Sequence, residues 1–299
     1  MGKCLVTKLN GSVNNDSLSK IGELRIHITS VDSPEEGTQS LKLGINAPVS
    51  LEIIGDGYFT DSTLSSNQGK TKSLDASGMI YFSNGNFDIS ISKKYVLTSI
   101  NFGNTNTNKG IDLADLYMCK YLSELYIWGS STVGIYSDLE TLERLSILNL
   151  SGIPKVDGNL SSFKNLSYIT NITVGSAKGS LSDLYNLSNL KTLQVGKCEV
   201  TGDLSKMPAN FIYAQFGYNK SMLNWTERSS TSKIIGIGGY PLIDNIDKML
   251  QDQANGVVGF TGKPSWYKNI SVKGNRTSAS DAAIATLQQK GYTVSITPA

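Results

Sequence analysis

A six-residue pattern recurs along this chain and constrains its fold more than any other feature. It reads aliphatic-x-x-aliphatic-x-aliphatic, and successive copies are 21 to 25 residues apart. The second aliphatic position is filled, in chain order, by Ile100, Leu125, Leu148, Ile172, Leu193, Ala214 and Ile235, the last in the segment Ile235-Gly-Ile237. A fixed period of this length predicts a solenoid, because a single coil cannot bury its apolar side until a neighbouring coil stacks on it.

A second series runs in phase with the first. Gly-x-Leu recurs at Gly158, Gly179 and Gly202, and apolar residues spaced by three follow it. Alternation within the first pattern predicts a strand with its middle residue facing outward, whereas spacing by three predicts a 3₁₀ or short helical turn. Glycines after each strand, such as Gly175 and Gly196, permit tight turns and close approach of neighbouring backbones.

The repeat loosens after Ile237. Apolar residues at 242, 243, 246, 249 and 250 form a helical stripe, and residues 270–272 and 292–296 read as strands. Between those strands the sequence predicts a helix over residues 281–290, with Ser278 or Ser280 as N-cap and Gly291 as C-cap. We therefore expect regular coils over residues 95–240 and a helical cap over residues 241–299.

The first 94 residues follow a different pattern. Short alternating segments separated by turn residues predict strands at residues 4–9, 22–28, 41–45, 49–54, 79–83 and 87–91. The polar stretch 61–73 is expected to be a long loop. The predicted fold is mixed α/β and strand-rich. A β-sandwich-like antiparallel domain (1–94) precedes the solenoid (95–299), with a boundary near 93–96 across which the sheet is free to continue.

Charge and composition exclude several classes of partner. The formal net charge is +2, only 17% of residues are charged, and the longest basic run is Lys93-Lys94, so no nucleic-acid partner is expected. The cysteines Cys4, Cys119 and Cys198 are far apart and are expected to be reduced and mostly buried. His27 stands alone on the polar face of a predicted strand, so neither a metal site nor a cofactor is expected.

The chain begins without the apolar segment that a secretory signal peptide requires. No run of residues approaches the 18 consecutive apolar positions of a membrane-spanning helix, so membrane insertion is not expected. We expect the protein to remain in the cell that makes it, or to leave by a route that needs no signal, such as packaging into a virion.

The repeat resembles the leucine-rich-repeat superfamily. Its Gly-x-Leu element is similar to subfamilies that carry an extra turn or short strand after the main strand. One departure concerns the asparagine that usually closes the motif, because Gly129, Gly175, Gly196 and Gly217 stand in its place. The resemblance implies a binding or structural protein without the usual asparagine ladder.

The two ends of the chain carry a narrower resemblance. The opening MGKCLVTKLNGSVNNDSLSKIGELRIHI and the ending GNRTSASDAAIATLQQKGYTVSITPA resemble proteins of Bacteroidetes and their bacteriophages, including virion proteins of crAss-like phages. The likeness includes no catalytic motif. It implies a phage structural protein, attached to the tail or head, or a cell protein of similar design.

Solenoids often bind through their strand face, and the outward positions supply the candidate binding residues. They are Glu124, Tyr126, Trp128, Asn149, Thr173, Gln194, Tyr213 and Gln215. Aromatic rings among them could stack on sugar rings while the amides bind hydroxyl groups. The alternative is that they are ordinary solvated positions or contacts between subunits.

Catalytic sites are weighed on two features. The acid pairs Asp112/Asp115, Asp244/Asp247 and Glu140/Glu143 lie three residues apart on presumed helical turns, where solvated charge is the usual explanation. Residues 236–239 read Gly-Ile-Gly-Gly but lack the Lys-Ser/Thr of a phosphate loop, and are expected to form tight turns. No catalytic residue is expected.

These expectations combine in one hypothesis, a non-catalytic bacteriophage virion protein made in the host cytoplasm. The β domain would attach it to the particle, and the solenoid would serve as a spacer or receptor-contacting surface in a tail, fibre or head decoration. Its partners would be other virion proteins, copies of itself and a glycan or protein of the host surface. Two alternatives stay open, a bacterial leucine-rich-repeat adhesion protein and a polysaccharide-degrading β-solenoid enzyme.

Overall fold

The computed structural model describes residues 22–29, 38–60, 69–102, 108–127, 132–153, 155–259 and 265–299. Within these ranges strands predominate and α-helices are confined to the C-terminal part of the chain. The predicted strand-rich class therefore agrees with the described residues. The strand predicted at residues 4–9 lies outside them.

The described residues contain seven strands before the solenoid. They are β1 (Leu24–Thr29), β2 (Thr38–Ile45), β3 (Val49–Gly55), β4 (Phe59–Thr60), β5 (Thr71–Leu74), β6 (Gly78–Ser83) and β7 (Asn86–Ile91). Strands β5, β3, β7 and β1 are antiparallel neighbours in one sheet, while β2, β6 and β4 belong to a second sheet. The sheets contact each other through buried apolar residues, and Phe82 of β6 meets Phe87 of β7 edge to face.

Strand β5 corrects part of the loop predicted at 61–73. Thr71, Lys72 and Ser73 pair with β3 although they carry no apolar alternation. A strand at the edge of a sheet can be polar on both faces because backbone hydrogen bonds on one side hold it. Residues 61–68 of the predicted loop lie outside the described residues.

The coils contribute a parallel sheet. Its strands are β8 (Leu97–Asn101), β10 (Glu124–Tyr126), β11 (Ile147–Leu150), β12 (Asn171–Ser180), β13 (Thr192–Thr201), β14 (Tyr213–Phe216) and β15 (Gly236–Gly238). The residues at the second aliphatic position of the repeat are register partners from Ile100 to Ala214, and none has exposed surface. The partner of Ala214 on β15 is the buried Ile237, so the position predicted for Ile235 was wrong by two residues. Stacking these residues builds one continuous apolar core, as the period predicts.

Hydrogen bonds join the N-terminal region to the solenoid in both sheets. Strand β8 is parallel to β10 on one side and antiparallel to β2 on the other, so a single twelve-stranded sheet runs through both regions. Strand β9 (Asn108–Gly110) leaves the coils and pairs with β1. Strands on both sides of residue 94 share sheets. The predicted boundary between two domains there therefore stays a prediction.

The spacing by three forms 3₁₀ helices, as predicted. They span Leu113–Met118, Tyr136–Leu139, Leu160–Phe163, Leu181–Leu184 and Leu204–Lys206. The middle residue of each Gly-x-Leu is the cap: side-chain oxygens of Asn159, Ser180 and Asp203 accept a hydrogen bond from the backbone N–H two residues on. Sequence reasoning identified the repeat of this element but not the capping that explains its polar member.

The C-terminal region adds helices without ending the sheet. Helix α1 (Ile246–Asn255) precedes β16 (Asn269–Lys273), and α2 (Asp281–Gln289) precedes the last strand, β17 (Thr293–Thr297). Both strands extend the parallel sheet beyond β15. Ser280 occupies the N-cap position of α2, but the side chain that caps the preceding turn is Thr277.

Candidate binding face

Five of the predicted binding residues form one row across the parallel sheet. Consecutive register partners on β10 to β14 are Tyr126, Asn149, Thr173, Gln194 and Gln215. Each lies between two buried apolar residues of the chain and is itself half-buried or exposed. The alternation therefore places these five side chains on the outer face of the sheet, as predicted.

The other three predicted residues do not join this row. Glu124 lies in the parallel row next to it, which also contains Tyr213 four strands later. Burial, with Glu124 as a further cause, raises the pKa of the Tyr126 phenol. Trp128 lies outside the described residues.

Tyr213 corrects the expectation of an exposed aromatic ring. Only 4% of it is exposed, because Trp266 and Tyr267 cover it with ring centroids 5.1 and 4.9 Å away. This burial raises the pKa of the Tyr213 phenol, whose hydroxyl donates to Oε1 of Gln215 at 3.3 Å. Tyr213 therefore packs against the face and orients Gln215, and it does not offer a ring to a ligand.

Beside the row of five runs a line of stacked glycines. A Cβ on Gly196 would lie 2.6 Å from the carbonyl oxygen of Gly175, and one on Gly217 would lie 2.2 Å from that of Gly196. Such distances are too short for real Cβ atoms. Glycine is thus required at these positions. Because glycine has no side chain, the backbone lies at the surface here.

A groove of about 730 Å³ follows these glycines, and we name it the glycine groove. Its lining includes the residues two positions before each glycine, Thr173, Gln194 and Gln215. It also includes the residue after each glycine, Ser176, Lys197 and Tyr218. The groove joins three of the predicted binding residues to three that sequence reasoning did not select.

A second cavity of about 480 Å³ adjoins the glycine groove and shares Ser176, Lys197 and Tyr218 with it. Its other charged residues are Asp157, Lys178, Glu199 and Lys220. The Lys220 ammonium lies 3.5 Å from the carboxylate of Glu199. The combined surface therefore carries mixed charge with a small excess of lysine.

Two of the three acid pairs weighed as catalytic candidates contain carboxylates that bind backbone groups, whereas Glu140 and Glu143 are exposed. Asp112 accepts from the N–H of Ala114, Asp244 from that of Trp225, and Asp247 from the N–H and hydroxyl of Thr277. A hydrogen bond from Ser280, together with those from Thr277, lowers the pKa of Asp247. Asp112, Asp244 and Asp247 thus have structural partners, which solvated charge alone does not describe.

Residues 236–239 differ from the tight turns expected there. Gly236, Ile237 and Gly238 form buried strand β15, and only Gly239 has a positive φ, of 85°. A Cβ on Gly236 would lie 2.0 Å from the carbonyl oxygen of Tyr267, so the glycine admits the segment that covers Tyr213.

The cysteine and histidine side chains in the described part of the chain also have structural surroundings. Cys119 and Cys198 are buried, and burial raises their thiol pKa values to about 12 and about 11. Nδ1 of His27 lies 2.6 Å from Oδ1 of Asp88 on the neighbouring strand. Across the described ranges, no three His, Cys, Asp or Glu side chains gather to hold a metal, and no helix is long and apolar enough to cross a membrane.

The groove residues that were not predicted share a position in the repeat. Ser176, Lys197 and Tyr218 each follow the glycine that replaces the motif asparagine, at the same point of three successive coils. The glycines were identified as sites of close backbone approach. That this approach leaves a groove depends on the packing of adjacent coils, which one coil's sequence does not specify.

Comparisons with known proteins concern the fold only. No family model matches the chain, and no curated protein matches it. Among solved structures, internalin C2 from Listeria monocytogenes is 16% identical, with 69% of this chain and 83% of that chain covered and a TM-score of 0.44. The plant peptide hormone receptor RGFR1 in complex with RGF2 is 13% identical, with 68% and 40% covered and a TM-score of 0.44.

A third similar structure is the LRR ectodomain of the receptor kinase GASSHO1/SCHENGEN3 from Arabidopsis thaliana, in complex with CASPARIAN STRIP INTEGRITY FACTOR 2. It is 16% identical, with 62% of this chain and 25% of that chain covered and a TM-score of 0.38. The chain spans less than half of either plant structure. The repeating coils are described from this chain's own strands and 3₁₀ turns.

Proposed function

We propose that this chain is a non-catalytic binding protein that contacts a macromolecular partner through the outer face of its parallel sheet. The observation that carries the proposal is the row from Tyr126 to Gln215, held in register beside the glycine groove. The aliphatic residues of the same strands are buried in the core. The outer positions are free to vary with a partner, which is how a solenoid separates binding from stability.

The non-catalytic part of the proposal is supported by the composition of the groove. The described residues that line the glycine groove include no carboxylate, thiol or imidazole, and of the two carboxylates in the adjoining cavity, Asp157 and Glu199, the second is paired with Lys220. Hydrolysis of a polysaccharide would require two carboxylates facing one cleft. We expect no reducing sugar to be released from bacterial polysaccharide, and release that is lost on substituting a carboxylate would contradict this expectation.

Binding can be tested without knowing the partner. The purified chain, labelled with a fluorophore, is incubated with a panel of Bacteroidetes cells and measured by flow cytometry. Gln194→Glu combined with Gln215→Glu places two carboxylates on the face, removes two amide donors and should abolish binding. Ser188→Glu, at an exposed position after a 3₁₀ turn, is the control and should leave binding intact. Equal binding by both variants would show that the partner lies elsewhere.

A virion is the finer setting that we propose for this binding protein. The likeness of both chain ends to phage and Bacteroidetes proteins supports it. Its partners there would be other virion proteins, copies of itself and a glycan or protein of the host surface. Mass spectrometry of purified particles should detect the chain at many copies, and its absence from particles would contradict the virion role.

The alternative setting is a bacterial adhesion or interaction protein, for which the same binding face would serve. The two settings differ in who makes the protein. Detection of the chain at the surface of an uninfected bacterium, after export, would favour the bacterial setting and exclude the virion as its main location.

A further inference from the structure

Two tyrosines near the glycine groove hold a backbone conformation that bulky residues avoid. Tyr218 has a φ of 54° and Tyr240 a φ of 53°, in the left-handed region. Their side chains are 86% and 44% exposed. A strained backbone that presents an exposed ring points to a use for that ring, since core packing does not hold it there.

Tyr218 is placed to act within the groove. It directly follows Gly217, the last of the three stacked glycines, and it lines both adjoining cavities. An aromatic ring at the end of a surface of bare backbone offers a flat apolar face to a ligand that lies along the glycines. Pyranose rings present such a face through their C–H groups, while their hydroxyl groups point sideways.

Lys197 occupies the corresponding position one coil earlier. It follows Gly196, is exposed and lines both cavities. In the part of the chain that the structure describes, no carboxylate lies within ion-pair distance of its ammonium, whereas Lys220 is paired with Glu199. The groove therefore holds a cation available to an anionic ligand.

The polar side chains that line the groove two residues before each glycine can form hydrogen bonds at a regular spacing. Thr173, Gln194 and Gln215 lie on three consecutive strands, which in a sheet are about 4.8 Å apart. That spacing is close to the length of one sugar unit in a polysaccharide. Because the hydroxyl of Tyr213 holds Oε1 of Gln215, the amide NH₂ of Gln215 remains a donor for a ligand.

An extended peptide fits this surface less well. Peptides that bind sheets usually add a strand at a free edge, where backbone hydrogen bonds give affinity. Strands β11 to β14 each lie between two hydrogen-bonded neighbours, so they offer a face but no edge. A face with side-chain donors, a ring and a cation suits a ligand rich in hydroxyl groups and carboxylates.

We propose that the glycine groove binds a polysaccharide strand that carries carboxylates. The ring of Tyr218 stacks on a pyranose, Lys197 pairs with a carboxylate, and Gln194 and Gln215 bind hydroxyl groups. The inference rests on the proposed function and names the class of ligand for the same face.

The test uses the full chain on an array of immobilised polysaccharides. Uronic-acid polymers (polygalacturonate, alginate, hyaluronan and acidic bacterial exopolysaccharides) are compared with neutral dextran and mannan. The wild-type chain should bind acidic members and weaken as salt is raised. Tyr218→Ala and Lys197→Glu should each weaken binding about tenfold, the scale of one stacking or ion-pair contact. Chemical reduction of the bound carboxylates should abolish binding.

The matched controls make the same two kinds of substitution at positions outside the groove. Tyr168→Ala removes a ring that is 62% exposed, and Lys191→Glu reverses an exposed lysine on the same coil as Lys197. Neither residue lines the groove, so both variants should bind like the wild type. Equal losses in the control and groove variants would overturn the proposal.

The failure of this inference is distinguishable from failure of the proposed function. Periodate oxidises sugar diols, and protease removes surface proteins. If cell binding depends on Gln194 and Gln215 yet survives periodate and is lost after protease, the face binds a protein and the polysaccharide inference is wrong. If the wild-type chain binds neither cells nor any polysaccharide, both proposals are wrong.

Discussion

Neighbouring residues of one strand face opposite environments at the centre of the solenoid. Leu193 of β13 has no exposed surface and contacts the core, whereas the adjacent Gln194 lines the glycine groove. Leu193 therefore serves folding, whereas Gln194 is available for binding.

This separation predicts unequal effects of one substitution at two adjacent positions. Leu193→Asp buries an unpaired carboxylate and should cost at least about 4 kcal/mol, unfolding the coils cooperatively. Gln194→Asp should change the free energy of unfolding by less than about 0.5 kcal/mol, as surface substitutions do. Denaturant unfolding followed by circular dichroism measures both, and equal tolerance would mean that the strand phase is wrong.

The stacked glycines give a second residue-level prediction. Gly196→Ala forces a methyl group against the carbonyl of Gly175 and should lower stability by about 1–3 kcal/mol through backbone displacement. Gly78→Ala is the control, because its added Cβ would meet no atom closer than 3.9 Å. Thermal unfolding should separate the two variants, and matching melting temperatures would refute the close approach of coils.

Residue positions could be predicted where alternation alone decides them. The row from Tyr126 to Gln215 follows from the repeat, because a strand's period of two fixes which side chains face outward. Tyr213 could not be predicted, because Trp266 and Tyr267, which cover it, are more than fifty residues away in the chain. Lys197 and Tyr218 became site residues only when three coils were stacked.

Among the elements, the transition from regular coils to the helical cap depends on one buried cation. Arg228 is 6% exposed, and its guanidinium donates to the carbonyls of Ser205, Met207, Pro208, Phe211 and Lys233. Burial lowers its pKa to about 10. Its backbone N–H donates to Asp252 of α1, whose carboxylate also accepts from the indole of Trp225.

Arg228→Lys should therefore be destabilising although it keeps the charge. A lysine has three donors on a single nitrogen and cannot reach carbonyls spread around the planar guanidinium, so about 2–4 kcal/mol should be lost. Arg144→Lys, at an exposed arginine, is the control and should be neutral within about 0.5 kcal/mol. A neutral Arg228→Lys, measured by chemical unfolding, would mean that these carbonyl contacts contribute little.

The elements themselves were largely predictable because each follows from local spacing. Apolar residues three apart gave the 3₁₀ turns, and the stripe from residue 242 gave α1. The helix begins only at Ile246, because Leu242 and Ile243 form β-bridges with Lys273 and Leu223. Strand β5 was not predicted, because an edge strand is stabilised by its partner β3 and carries no pattern of its own. The polar network around Arg228 has no local signature either, since its acceptors are backbone carbonyls.

For the whole molecule, the shared sheet makes the junction between the two regions part of one core. Lys109 of β9 is fully buried there, and its Nζ donates to the carbonyls of Ser40 and Phe102 at 2.7 and 2.9 Å. Burial lowers the pKa of Lys109 from 10.5 to about 8. The sequence left continuation of the sheet open, because pairing of β8 with β2 joins segments more than fifty residues apart.

The lowered pKa predicts a pH dependence of stability. Between about pH 8 and 10.5 the unfolded chain keeps the Lys109 proton that the folded chain releases, so this group makes stability rise with pH. Cys119, whose pKa is raised to about 12, acts in the opposite direction above pH 9. From pH 8 to 9 the wild type should therefore gain up to about 1 kcal/mol relative to Lys109→Met. Parallel pH profiles of the two proteins in urea unfolding would exclude this role.

The central claim, that partners bind on the outer face of the sheet, is tested most directly by hydroxyl-radical footprinting of the chain bound to cells. Tyr126 and Tyr218 report on this face, while Tyr117 and Tyr168, 52% and 62% exposed, lie outside the lining of the groove. The account predicts that binding lowers oxidation of Tyr126 and Tyr218 and leaves Tyr117 and Tyr168 unchanged. Protection of Tyr117 and Tyr168 with full oxidation of Tyr218 would contradict it.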